Sequence, residues 1–256
     1  MKVPSFSLKL ITAALLGIAA PLAAAGEKPR VLILATGADK MTDGKPTGLW
    51  LEEFAVPYNA FTKAGFDIVV STPKGGDVPV DPRSKPTPEQ TAEWADASKK
   101  LAGTVAIADV DASKLDAVFV PGGHGTMFDL ATDEGTAKLL TTLNADGKII
   151  AAVCHGPAAL VGAKGTDGKP LVAGKTVATF TDDEERAVKL DKEMPFLLES
   201  KLAELGAKID KKPNFTAHAV RDGNLITGQN PPSSELVADL VIKALAKKSA
   251  EPTEKP

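Results

Sequence analysis

Short apolar runs rich in branched residues alternate along this chain with longer stretches in which apolar positions return every three or four residues. The first run, residues 30–36 (RVLILAT), ends at Gly37 and reads as a parallel strand buried on both faces. In residues 47–64, Leu51, Phe54, Ala55, Tyr58 and Phe61 recur at helical spacing, and Gly65 closes the segment. Pro57 lies inside it and predicts a kink or a split, since proline donates no backbone hydrogen bond. Residues 66–71 read as a second strand, giving a strand, helix, strand unit with a right-handed crossover.

Five prolines and the pair Gly75-Gly76 make residues 73–88 a loop, and a polar helix over 88–101 completes an insertion at the sheet edge. A third strand, 115–121, breaks at Gly122-Gly123-His124-Gly125, and a helix follows over 134–144. The run 148–154 is a strand that turns at once into 155–161. Further on, 172–180 reads as a strand region, 182–190 and 195–205 as helices, and 215–220 with 225–227 as a strand pair joined through Asp222-Gly223. A helix over 233–247 precedes a polar tail, 249–256, expected to be disordered. This alternation predicts a flavodoxin-like α/β domain over 26–248: a doubly wound, mostly parallel sheet with helices on both faces and a small cap-like insertion. Sites in such sheets lie beyond the carboxyl ends of the strands, where Gly37, Gly122-Gly123 and Cys154 all fall.

The first residues change the expected setting. Lys2 and Lys9, an apolar run over 10–20 and the small residues Ala23, Ala24 and Ala25 follow the grammar of a cleaved export signal, 1–25, directing the chain to the periplasm or outside the cell. The run is shorter than the roughly 20 residues a membrane span needs, and Pro21 interrupts it. Removing it takes two basic residues and no acids from a chain of 30 basic and 33 acidic residues. Basic residues are scattered among acids and only two tryptophans and one tyrosine are present, which argues against nucleic acid as a partner. His124, His155 and His218 are the only histidines, and none is paired at zinc-motif spacing; neither a metal nor an organic cofactor is expected.

A single cysteine, Cys154, excludes an internal disulfide. Its place between a strand and the next turn, among Ala152, Gly156 and Ala158, suits a nucleophile on a tight elbow, where a helix N-terminus favours the thiolate. An inert buried thiol is the alternative.

AAVCHGPAAL, together with PGGHGTMFDL, TGLWLEEFAVPY, PKGGDVPVDPRS, FTDDEE and DGNLITGQNPPSS, resembles the ThiJ/PfpI superfamily, whose fold is that of class I glutamine amidotransferases. The order of motifs is similar to that in its branch of heat-shock chaperones and glutathione-independent glyoxalases (glyoxalase III). The resemblance implies an acid on the first helix, four positions before a proline, beside the cysteine; Pro57 selects Glu53 over Glu52, which is expected to be solvated. It also implies a triad of Cys154, His155 and Glu185, with oxyanion donors from the backbone N–H groups of Gly123 and His155. His124 and Trp50 are candidates for the pocket wall, and His218 is expected to be structural.

The activity so implied is conversion of methylglyoxal-type dicarbonyls to hydroxy acids through a hemithioacetal on Cys154, a cysteine-dependent hydro-lyase reaction. The alternatives are protein deglycation and a stress-related holdase for unfolded proteins with a redox-sensitive thiol; peptidase or glutamine amidotransfer activity ranks below them. The resemblance is compatible with a homodimer.

Overall fold

The structure, a computed structural model, describes residues 28–250. The elements run β1 (Arg30–Leu34), α1 (Leu51–Lys63), β2 (Asp67–Thr72), α2 (Pro88–Glu93), α3 (Ala95–Lys99), β3 (Val105–Ala106), β4 (Ala117–Val120), α4 (Glu134–Ala145) and β5 (Ile149–Val153). They continue β6 (Thr176–Val177), α5 (Asp182–Ala187), α6 (Leu198–Glu204), β7 (Lys208–Ile209), β8 (Ala219–Asp222), β9 (Leu225–Gly228) and α7 (Ser234–Ala250). The main sheet has the order β3-β2-β1-β4-β5-β9-β8, parallel throughout except for β8. This is the doubly wound α/β architecture expected, with the chain reversing its winding direction between β1 and β4.

Alternation within the central strands explains their uninterrupted apolarity. Leu32, Leu34, Val118, Val120, Ile150 and Ala152 enter one core, which α4 closes with Leu139, Leu140 and Leu143. Val31, Ile33, Ala117, Phe119, Ala151 and Val153 enter the other, beneath Phe54 and Phe61 of α1 and Val237 and Val241 of α7. Each fully buried side chain of this kind contributes roughly 1.5–3 kcal/mol, so the two covered faces fix the strand register.

Several expectations are corrected. α1 is not split at Pro57, which is buried within it; burial of Phe54, Ala55 and Phe61 on the same helix outweighs the missing N–H. The helix expected over 88–101 divides at Trp94, whose backbone leaves helical geometry while its side chain is buried. Of 172–180 only β6 is extended, and it pairs with β7 in a separate two-stranded sheet. Gly174 turns the chain at φ 77°, and the N–H groups of Ala178 and Phe180 donate to Thr227 Oγ1 (2.8 Å) and the Cys154 carbonyl (2.9 Å), so this segment crosses the ends of β5 and β9. The helices over 182–190 and 195–205 shrink to α5 and α6, and β8 begins only at Ala219. The Asp222–Leu225 hairpin forms as expected, around Gly223 and Asn224. α7 extends to Ala250, two residues into the expected tail; the rest of that tail and the expected signal, 1–25, lie outside the described residues.

Candidate active site

Cys154 directly follows β5 and adopts φ 60°, a left-handed conformation costly for a side chain with a Cβ. Its N–H donates to the Gly228 carbonyl at 2.9 Å, and its own carbonyl accepts from Phe180 N–H (2.9 Å) and Thr179 Oγ1 (3.1 Å). These bonds hold the strained turn. After it comes only a short 3-10 turn, Gly156–Leu160, so the helix end expected to favour the thiolate is a weak dipole. A Cβ on Gly156 would lie 2.2 Å from the Val120 carbonyl, which leaves glycine as the residue that lets the turn pack against β4.

Charge at the sulfur is controlled by neighbours. Glu53, on the first turn of α1, is fully buried; its Oε2 accepts from Gly122 N–H at 2.7 Å, its Oε1 has no fully formed hydrogen bond, and its carboxyl interacts with the Cys154 thiol. Burial pushes Glu53 up to about 8, so at neutral pH it is a carboxylic acid able to donate to sulfur. Burial also pushes the Cys154 thiol up, the neighbouring carboxyls of Glu53 and Glu184 add to that push, and the His155 backbone N–H works against it. His155 lies on the other side, with Nδ1 3.3 Å from Sγ and its backbone N–H directed at the sulfur. A thiolate here has three donors available: the Glu53 acid, the His155 ring after proton transfer, and the His155 backbone.

His155 Nε2 reaches Glu185 Oε2 at 2.7 Å, and His124 Nε2 reaches Glu185 Oε1 at 2.9 Å. Burial alone would raise Glu185, yet the two histidines outweigh it and hold the carboxyl well below its usual range. The donor atoms of His124, His155 and Glu185 lie within 4.8 Å of one another, close enough for a metal ion. Both carboxylate oxygens are already engaged at hydrogen-bond distance, so an ion would have to displace two short bonds.

Of the other expected residues, Trp50 is half-buried at the start of α1 and donates its backbone N–H to the Gly122 carbonyl at 3.2 Å. Glu52 is half-buried rather than fully solvated and interacts with the Trp50 side chain. Gly123 takes φ 97°, and a Cβ there would meet the Gly48 carbonyl at 2.3 Å. His218 stays outside the cluster, with its ring facing Asp210 at 3.2 Å. Unforeseen was Arg83, whose Nη2 reaches His124 Nδ1 at 3.2 Å. Also unforeseen was Phe180, whose ring lies 4.4 Å from that of His155 and 6.3 Å from that of Phe215.

Glu184 is equally buried and does different work. Its two oxygens accept from Thr181, Phe215 N–H, Gln229 and Asn230, tying two distant segments to the start of α5. Gly122 shows how tightly the parts fit: a Cβ would lie 2.6 Å from His155 N and 2.7 Å from Glu53 Oε2. Gly122→Ala should therefore cost about 3 kcal/mol in chemical denaturation and lower the reactivity of Cys154 toward iodoacetamide; wild-type values for both would contradict this packing.

A doubly wound α/β fold that carries a cysteine on a strained elbow, a buried acid beside the sulfur and a histidine–glutamate pair behind it is a fold of the amidotransferase-like class. The chain belongs to the DJ-1/PfpI family, whose family model matches residues 47–244. It is 31% identical over 233 residues to the glutathione-independent glyoxalase HSP31 of Saccharomyces cerevisiae, covering 84% of this chain and 98% of that protein. It is 29% identical over 236 residues to the protein/nucleic acid deglycase HchA of Pseudomonas aeruginosa, covering 86% and 79%. The crystal structure of glyoxalase III from Candida albicans superposes with a TM-score of 0.76 at 30% identity, covering 84% of this chain and 97% of that one.

Proposed function

We propose that this protein is a glutathione-independent glyoxalase acting on methylglyoxal-type dicarbonyls. The observation that carries this is the pairing of Cys154 with a buried Glu53 whose acid persists to about pH 8, since an internal redox shift between adjacent carbons needs a nucleophile and a proton carrier on one substrate. His155 takes the thiol proton at Nδ1, and Sγ adds to the aldehyde carbon. The new alkoxide takes a proton and becomes a hemithioacetal, with the Gly123 and His155 N–H groups as proposed oxyanion donors. His155, once it has passed its proton to the alkoxide, removes the proton from the former aldehyde carbon while the Glu53 acid donates to the neighbouring carbonyl oxygen. The enediol so formed gives a hydroxyl proton back to Glu53 and takes the proton held by His155 at the neighbouring carbon. That carbon is reduced to a hydroxyl while the first is oxidised to a thioester. Water cleaves the thioester to a hydroxy acid and frees the thiol. Cys154 is only 4% exposed, which suits substrates of a few carbons.

Export through residues 1–25 belongs to the same proposal and rests on the leader pattern alone. Incubating purified protein with methylglyoxal and no added thiol should yield lactate at the rate of dicarbonyl loss; absence of lactate would sink the proposal. Similarity to the deglycase supports a second reading with the same thiol. If preformed glycated peptide is cleared no faster than free methylglyoxal leaves it, the glyoxalase reading stands.

A further inference from the structure

Glu185 is held from two sides, and only one is used by the chemistry above. His155 takes Oε2, while Oε1 meets His124, a buried residue that no step requires. Behind His124 stands Arg83, from the insertion between β2 and β3, with Nη2 3.2 Å from Nδ1. A guanidinium can only donate, so Nδ1 must accept; an imidazole that accepts at Nδ1 carries its hydrogen at Nε2. His124 is thereby a neutral donor to Glu185, with its tautomer fixed from outside the ring.

The geometry points to Arg83 and His124 as a positioning arm, supplied by the insertion, that keeps Glu185 ionised and aimed at His155 and so sets the polarity of the hydrogen-bond chain ending at Cys154. Arg83 is itself anchored. Its Nε and Nη2 bind Asp81 Oδ1 (2.9 Å) and Oδ2 (2.5 Å), and Asp81 is fully buried with Thr47 Oγ1 donating to it at 3.1 Å. The charged groups facing His124 are Arg83, His155 and Glu185; burial, reinforced by His155 and to a smaller extent by Arg83, outweighs Glu185 and pushes its pKa down to about 4. Glu185 is faced by the two histidines, and Cys154 by Glu53, Glu184 and His155. Without the arm, Oε1 would be a buried carboxylate oxygen lacking its donor, and Glu185 could swing away from His155 or take up a proton.

This inference rests on the Cys154 chemistry proposed above, so its test reads the thiol without any dicarbonyl. Nitrogen-15 NMR of the histidines and the pH dependence of iodoacetamide alkylation would be recorded for wild type, Arg83→Met, His124→Ala and His124→Gln. In wild type, His124 should stay the Nε2–H tautomer from about pH 5 to 9. In Arg83→Met, burial still disfavours the charged ring, so the change should be one of tautomer: an Nδ1–H population, which cannot donate to Oε1, should appear at neutral pH, and the alkylation profile should fall below that of wild type where it is populated. His124→Ala should slow neutral alkylation by about 10- to 100-fold, whereas glutamine, whose amide can still donate to Oε1, should recover most of that loss. A wild-type His124 protonated at Nδ1, or an Arg83→Met protein alkylated with the wild-type pH profile, would overturn the arm. Should His124→Ala fail to fold, the wild-type tautomer and Arg83→Met decide. A wild type that makes no lactate yet shows these signatures would remove the proposed activity and leave the arm.

Discussion

Cys154→Ala should lower lactate formation from methylglyoxal by about a thousandfold or more while leaving the protein folded. The reason is that the proposed reaction needs a covalent bond to this sulfur: it is the chain's only thiol, and Glu53 and His155 are placed to act through it. The fold should survive because alanine retains the backbone bonds from Gly228 and Phe180 and fills nearly the same space. The left-handed backbone adds an internal control. Cys154→Gly should be as inactive as the alanine variant but more stable by about 1 kcal/mol, because glycine relieves the φ of 60°. Substantial turnover by either variant would remove the sulfur from the mechanism, and an alanine variant at least as stable as the glycine one would remove the strain.

Glu53→Gln is the second large effect, and it moves activity and stability in opposite directions. A burial-raised carboxyl binds its proton more tightly in the folded chain than in the unfolded one, where its pKa is near 4.5. Wild-type stability is therefore greatest below about 4.5 with respect to this group and is lost as pH rises toward about 8. Glutamine cannot ionise, yet it keeps an acceptor for Gly122 N–H and turns an amide toward the sulfur. Above pH 7 it should raise stability by a few kcal/mol at most, on the order of what a pKa displacement of this size permits. Turnover should fall about 100- to 1,000-fold, because an amide cannot shuttle a proton. Thermal unfolding at pH 5 and pH 8 separates the cases: a stability gain equal at both would place the cause elsewhere. The wild-type kcat/KM should also decline above about pH 8, where Glu53 loses its proton, and this limb should be missing from any residual glutamine activity.

What the sequence revealed followed what packing leaves visible. β1, β4 and β5 are apolar at nearly every position because both faces are covered, and such runs cannot be mistaken for surface. β3 and β7 are two residues long and carry no period at all, and 172–180 looked extended because its partners are a threonine side chain and an elbow carbonyl. Local pattern marked Cys154 and its turn, while Glu53, His155 and Glu185 came from family motifs; the structure brings Glu53 and His155 to the sulfur and sets Glu185 behind His155. Arg83 and Asp81 stayed hidden because an Asp-Pro-Arg in a proline-rich loop reads as solvated, and only tertiary contact with His124 says otherwise. Among the four consecutive acids of α5, a usable signal existed: Thr181 and Glu184 have capping-box spacing, and the structure shows that box. It commits Glu184 to the helix start and leaves the next acid free to face the histidines.

The bonds that bend Cys154 out of ordinary backbone space come from Phe180 and Gly228, both synthesised well after it. A nascent or refolding chain should therefore display a commonplace cysteine until the strand on its far side docks, and the bent, histidine-backed sulfur should form only with that docking. Thiol labelling during refolding should show the mature rate appearing only with the final phase. Such timing would spare half-made molecules from trapping aldehydes or oxidants before they can release them.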